Sequence, residues 1–315
     1  MTHPDSAYRV GLAIPTLNAG SRWADCLGSI NRQSFLPQRL LVLDSESTDE
    51  TASLAKSAGF EVLRIERSQF NHGGTRQQAV EHLSDCEIVI FLTQDAILAD
   101  EGSFAQIVSC FDDPRVALAY GRQVPHVGAT AIESHARVFN YGAQSLEKNA
   151  QSIAQFGTKV FFCSNSFAAY RRKLLMDLGG FRRDLILGED MDLAARAISA
   201  GYTNRYCAGA VVYHSHDYTI EQTLSRYFDI GVFDASNAWL REQFGSHSGE
   251  GRRFVISELR YLAKRAPAMI PIAVLQTAAK FIGYKLGRSE RLLPISLKKK
   301  MSTMPAYWAV RKGTN

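Results

Sequence analysis

Three acidic clusters in this 315-residue sequence have the residue types and spacing to do chemistry. One follows the apolar run Leu40-Leu41-Val42-Leu43 as Asp44-Ser45-Glu46-Ser47-Thr48-Asp49. A second ends the apolar run before it as Thr93-Gln94-Asp95. The third, Gly188-Glu189-Asp190-Met191-Asp192, opens a helical pattern. Each lies at the end of an apolar element or the start of a helix. Together they suit a site that handles a metal–diphosphate and takes a proton from a hydroxyl.

Taken singly, each cluster leaves two readings. Asp44 fits a turn aspartate, or an acceptor for the imide N–H of uracil or thymine. Asp95 fits the cap of a turn, or a ligand of Mg2+ or Mn2+, which take carboxylates together with substrate phosphates. His214 and His216 share one face of an extended segment by alternation; they are hydrogen-bonded histidines or imidazole ligands of the same ion. Asn71-His72-Gly73-Gly74-Thr75-Arg76 is a glycine turn, or a loop whose backbone approaches a phosphate at a helix N-terminus while Arg76 neutralises charge. No G-K-[ST] follows, which excludes a Walker loop. Glu189, Asp190 and Asp192 either complement a helix dipole or make Asp190 a general base whose pKa its carboxylate neighbour lifts.

The elements that must position these residues are legible as a rhythm. Val10–Ile14 reads as a buried strand, followed by a helix over 21–33 and a strand at Leu40–Leu43. Ser47-x-x-Glu50 reads as a capping box for a helix that Gly59 ends. Strand 61–65, helix 74–83 and strand 87–92 follow. The βαβαβαβ order predicts an α/β fold, with a mainly parallel sheet and helices on both faces, and ligands beyond the carboxyl ends of the strands. Further on, 116–120 and 160–170 read as strands and 189–200 as a helix that Gly201 ends. Val211–Tyr213 runs into the histidines. Beyond Thr219 the pattern is helical, which divides the chain into a catalytic domain over 1–217 and a helical region over 218–315.

Composition sets bounds. At 46% hydrophobic and 21% charged, the chain is ordinary for a globular protein. Five scattered cysteines without a C-x-x-C predict reduced thiols in a cytosolic setting, not a disulfide frame or zinc knuckle. Met1–Arg9 is polar, with no signal-peptide core. The net charge of +5 is uneven: Lys280–Asn315 holds nine Lys/Arg against one acid, Glu290, or +8, and the remainder carries −3. Such a tail suits anionic lipid headgroups or nucleic acid, or is a solvated basic end. The most apolar stretch, 266–284, is broken by Pro267, Pro271, Gln276 and Lys280, so it reads as an interfacial or buried helix, not a span.

Taken together, Ile14-Pro15-Thr16-Leu17-Asn18, Asp44–Thr51, Thr93-Gln94-Asp95-Ala96 and Gly188-Glu189-Asp190 resemble the inverting family 2 glycosyltransferases of the GT-A fold. Phe70–Arg76, the T-Q-D-A motif and Tyr213-His214-Ser215-His216-Asp217-Tyr218 narrow this to a resemblance to bacterial rhamnosyltransferases, good over about residues 8 to 235. The resemblance implies donor contacts at Pro15, Thr16, Asn18, Asp44, Arg76, Thr93 and Gln94, with Pro15, Thr16 and Asp44 around the nucleobase. It implies a Mg2+ or Mn2+ ion on Asp95 with His214 as second ligand, and Asp190, beside Glu189, as the base. The motif departs from the common D-x-D, because Thr93 stands where an acid is usual. Gln222-Thr-Leu-Ser-Arg226-Tyr227 departs from the Q-x-x-R-W of polymer synthases.

The expectation is therefore transfer of L-rhamnose from dTDP-β-L-rhamnose to a hydroxyl of a glycan acceptor, lipid-linked, in lipopolysaccharide or O-antigen assembly. The enzyme would be cytoplasmic and peripheral on the inner face of an anionic membrane, with a homodimer among its expected partners and no nucleic acid. Rival readings are transfer from another UDP- or dTDP-hexose, or a non-catalytic membrane-docking scaffold. A sugar nucleotidyltransferase and an NAD dehydrogenase are disfavoured because Pro15-Thr16-Leu17-Asn18, not a glycine-rich loop, follows the first strand.

Overall fold

The computed structural model describes residues 8–245 and 249–310. Most of the polar N-terminal stretch and the last cations of the basic tail, Arg311 and Lys312, lie outside the described residues. The strands are β1 (Val10–Thr16), β2 (Arg39–Asp44), β3 (Glu61–Arg64), β4 (Ile88–Leu92), β5 (Ile97–Leu98), β6 (Val116–Val124), β7 (Leu146–Lys148), β8 (Phe167–Arg171) and β9 (Thr203–Tyr213). The helices are α1 (Trp23–Asn31), α2 (Thr51–Ser57), α3 (His72–His82), α4 (Ser103–Ser109), α5 (Ala131–Asn140), α6 (Ile153–Phe156), α7 (Arg172–Asp177), α8 (Glu189–Ser199), α9 (Ile220–Ser236), α10 (Ala238–Phe244), α11 (Glu250–Arg265), α12 (Ile270–Arg288), α13 (Ile295–Met301) and α14 (Pro305–Val310).

Two compact units form. The first takes the chain up to His126, then Tyr141–Arg183 and Glu189–His214; the second takes Val127–Asn140, Asp184–Gly188 and the chain from Ser215. All the strands belong to the first, in one sheet of order β3-β2-β1-β4-β8-β6-β9-β5 with β7 beside β9. β4 is buried along its whole length, and β1 nearly so, as strands covered on both faces must be. The pairings β2/β3, β1/β2 and β1/β4 are parallel, as the alternating rhythm predicts. β8 then inserts antiparallel to both β4 and β6, and β5 and β7 lie antiparallel to β9, so the sheet is mixed. The parallel half brings Thr16 opposite Asp44 at the carboxyl ends of β1 and β2.

Two local expectations are corrected. The run from Val160 is not one strand: Gly157–Phe161 is a 3-10 turn, and β8 begins only at Phe167. Nor does Ser47 cap α2. Its hydroxyl accepts from Asn18 N at 2.8 Å, while Asp49 Oδ1 accepts Thr51 N at 3.1 Å and holds the start of the helix.

The second unit is helical. α9 and α12 pack so closely that a Cβ on Gly287 would stand 2.0 Å from Phe228 O, and one on Gly283 2.3 Å from Leu224 O. Small residues at both positions let the backbones approach, which buries more of each helix. Buried Asp229 on α9 accepts from Ser302 Oγ at 2.7 Å and Thr303 N at 2.8 Å, tying in the segment after α13. Among the described residues no helix is long and apolar enough to cross a membrane. Gly287→Val should force α9 and α12 apart and destabilise by about 1–3 kcal/mol, as overpacking does; urea unfolding should show the lowered midpoint.

Candidate active site

The rim formed by β1, β2 and β4 is built around two short clamps. Thr16 Oγ1 donates to Asp44 Oδ1 at 3.0 Å, and Ser47 N donates to Asp44 Oδ2 at 3.0 Å. Gln94 holds the chain leaving β1 by both backbone groups of one residue: its Oε1 accepts Leu17 N at 2.8 Å and its Nε2 donates to Leu17 O at 3.1 Å. Asn18, at φ 44, uses Oδ1 to accept Thr48 N at 2.8 Å. Pro15, Thr16, Asn18, Asp44 and Gln94 are thus brought together on one edge. Thr93 lies beside them, its buried Oγ1 without a hydrogen-bond partner among the described residues. The clamps fix the loops before any ligand arrives, which lowers the ordering cost of binding.

The acids at the start of α8 are separated by their partners. Arg76 Nη1 meets Glu189 Oε1 at 2.8 Å, with both side chains only 7% and 6% exposed. Burial pushes the Glu189 carboxyl up and is the largest single influence, but the Arg76 guanidinium, His72 and the Asn165 amide together outweigh it, and the group is held below the usual carboxylate range. Asp190 has no ion pair of its own among the described residues. Burial, then the Glu189 charge beside it, push it up to about 7, against backbone N–H groups that pull the other way. Those donors are Asn165 N to Oδ2 at 3.0 Å and Met191 N to Oδ1 at 2.8 Å. Asp190 stays partly exposed. A carboxylate that titrates near neutrality and is reachable is suited to take a proton from a hydroxyl. Asp192 is structural: it is fully buried against Arg196 Nη2 at 2.9 Å.

This arrangement redirects Arg76 and the glycines before it. Arg76 Nη1 is spent on Glu189 and on His72 O, at 3.2 Å, not turned out to a diphosphate. Gly73 is required because a Cβ there would stand 1.9 Å from Arg182 O, and Gly74 N is already accepted by Asn71 Oδ1 at 2.7 Å. The loop serves the Glu189 pair. Sequence reasoning missed Asn165, which binds both acids: besides its N–H on Asp190, its Nδ2 donates to Glu189 Oε1 at 2.9 Å, and its Oδ1 accepts Tyr170 OH at 2.7 Å. Only its place just before a strand hinted at a role.

The third group contains the metal candidates. His214 Nε2 is 3.5 Å from Asp95 Oδ1, and its Nδ1 is 2.9 Å from Gln123 Oε1. Gln123 Nε2 donates to Ser164 Oγ at 2.9 Å, so its oxygen faces the ring and accepts Nδ1–H. That fixes the tautomer and leaves the Nε2 lone pair toward Asp95, as in imidazoles oriented for a metal. One carboxylate with one such imidazole is a donor pair that fits a divalent cation completed by substrate oxygens.

A family model, that of glycosyl transferase family 2, matches residues 12–179. The chain belongs to that family. This glycosyltransferase is 48% identical over 301 residues to the O-antigen chain rhamnosyltransferase RfbN of Salmonella typhimurium, covering 95% of this chain and 96% of the relative. It is 47% identical to the O-antigen chain rhamnosyltransferase WbaN of Salmonella anatum, covering 94% and 95%. Its fold is similar to that of the mannosyltransferase PcManGT from Pyrobaculum calidifontis, solved with GDP-Man and Mn2+, at a TM-score of 0.59 and 20% identity over 99% of this chain and 88% of that one. The resemblance to rhamnosyltransferase-like members of the family is borne out.

Removing Arg76 from this family 2 enzyme strands a buried carboxylate. Arg76→Ala should cost about 3–5 kcal/mol in chemical unfolding, and Glu189→Gln in the same chain should recover part of the loss.

Proposed function

We propose that this enzyme transfers L-rhamnose from dTDP-β-L-rhamnose to a hydroxyl of a lipid-linked glycan in O-antigen assembly, inverting the anomeric centre to give an α-linkage. The observation that carries the chemistry is Asp190: a reachable carboxylate raised toward neutrality beside a paired, ionised neighbour. The choice of sugar rests on two relatives, both named rhamnosyltransferases and both alike over nearly the whole chain.

Asp190 takes the proton of the acceptor hydroxyl as its oxygen attacks the anomeric carbon, and the nucleoside diphosphate leaves from the opposite face. Arg76 keeps Glu189 ionised, which keeps Asp190 basic. Asn165 holds both carboxylates in place. Thr16, Asn18 and Asp44, braced by Gln94, form the edge that would receive the donor, with Asp44 as the acceptor for a thymine imide N–H. Asp95 and His214 would hold the divalent cation, whose nitrogen ligand favours Mn2+ over Mg2+ and which would supply positive charge to a leaving diphosphate.

The acceptor side supports a lipid surface. On α12, Val274, Leu275, Phe281 and Ile282 fall on one helical face and are exposed, Phe281 by 63%. That face is opposite the glycines that meet α9. Lys285, Arg288, Arg291 and Lys298–Lys300 follow, and Leu292 is 85% exposed. Apolar side chains followed by cations match an anionic bilayer interface.

A panel of dTDP-, UDP- and GDP-sugars with Mg2+ or Mn2+ tests the donor. Selective binding and turnover of dTDP-rhamnose, lost in Asp95→Ala, are expected; binding of no nucleotide sugar would overturn the reading. Asp190→Asn should lower turnover by about 10²–10⁴-fold while calorimetry shows donor affinity near wild type. Wild-type turnover should rise as pH passes about 7. Because the Asp190 pKa is raised on folding, its ionisation costs stability as pH increases. The Asn variant should therefore gain melting temperature over wild type across the range from 3.8 to about 7.

Flotation with vesicles containing an anionic lipid should carry the wild type. Phe281→Glu with Leu275→Glu should leave the protein in the soluble fraction while donor binding persists.

A further inference from the structure

Far along β9 from His214, two sulfurs converge on one oxygen. Cys110 Sγ lies 3.6 Å from Gln106 O and Cys207 Sγ lies 3.5 Å from the same atom. The pairing of β9 with β6 passes from Gly121↔Cys207 directly to Arg122↔Val211, so Ala208–Ala210 bulge out of the ladder. A bulge re-aims the backbone it releases, and here the N–H groups of Gly209 and Ala210 turn to the Cys207 sulfur. Consecutive N–H groups aimed at one point form a nest for negative charge. Both sulfurs line a cavity of about 380 Å³ whose wall also includes Ser109, Ser145, Glu147 and Arg205. The mechanism uses none of these residues.

We propose that Cys110 and Cys207 form a reactive dithiol, an oxidation site that a small hydroperoxide reaches through this cavity and closes to a disulfide. Cys207 is the attacking thiolate. It displaces hydroxide from hydrogen peroxide and becomes a sulfenic acid. The Cys110 thiol then attacks that sulfur, forms the S–S bond and releases water. The two thiols lose two electrons, and the peroxide takes them up.

The surroundings assign the roles. The hydrogen bond from Cys110 is the largest influence holding the Cys207 thiol below its ordinary range, with the bulge N–H groups and Arg205 adding to it and burial opposing. Cys110 is correspondingly held up, by Cys207 and by burial. Cys26, Cys86 and Cys163 are all pushed up, chiefly by burial. A thiolate reacts and a thiol does not, so those three serve as internal controls.

The test is hydrogen peroxide titration of the whole native protein, followed by digestion and mass spectrometry with thiol counting. Two thiols should be lost first, with the peptides containing Cys110 and Cys207 linked and the other three cysteines still alkylatable. In Cys110→Ser, dimedone should tag Cys207; in Cys207→Ser, Cys110 should stay a thiol. Oxidation of Cys26, Cys86 or Cys163 at the same peroxide dose, or loss of thiols without the Cys110–Cys207 link, overturns the proposal. The wild-type measurement decides the matter even if a variant does not fold.

Discussion

The buried pair of Arg76 and Glu189 is the interaction on which the catalytic corner depends. Two consecutive carboxylates at one helix start cannot both be buried and charged without compensation, because removing each from water costs several kcal/mol. One guanidinium, almost as buried as the acid it meets, neutralises the first of them. The second is then governed by its surroundings rather than by a cation, and its proton affinity rises. The opening of α3 serves this end: Asn71 caps it, and Gly73 lets it lie against the Arg182 carbonyl.

A similar logic of support operates at the histidines. His214 follows β9 directly, but its ring is aimed by Gln123 on the neighbouring β6, which is itself held by Ser164. One residue beyond Ser164, Asn165 braces Asp190 and Glu189. The short segment before β8 therefore steadies both groups from adjacent positions. Inserted antiparallel between β4 and β6, β8 brings that segment to the edge where the acids lie.

How much of this was legible in the sequence follows from the range of the forces involved. Strand ends and helix starts are marked locally, by apolar runs that stop and acids that begin, so Asp44, Asp95 and Asp190 could be singled out. The rhythm of the first strands was readable for the same reason. What Arg76 touches was not, because its partner is far off in the chain and a glycine loop before an arginine looks the same whether it faces a phosphate or a buried glutamate. Val160-Phe161-Phe162 has the composition of a strand, and only the packing of the turn shows otherwise. Ser47 and Glu50 had the spacing of a capping box, but Asn18, distant in sequence, took the serine hydroxyl. Asn165 and Gln123 were invisible because amides carry no charge pattern and their value lies wholly in what they reach.

The bulge in β9 also divides the strand into two reading frames. Upstream, Asn204–Cys207 is registered against β6 by one set of partners; downstream, Val211–Tyr213 is registered afresh. Side chains in a strand alternate between faces, so an extra residue in a regular ladder would turn everything beyond it over. Between Cys207 and Val211 the backbone already departs from the ladder, so a change of length there falls outside the paired register. Relatives can therefore differ in length at Ala208–Ala210 and still present His214 on the same face, whereas a change of one residue beyond Val211 would turn the imidazole away from Asp95.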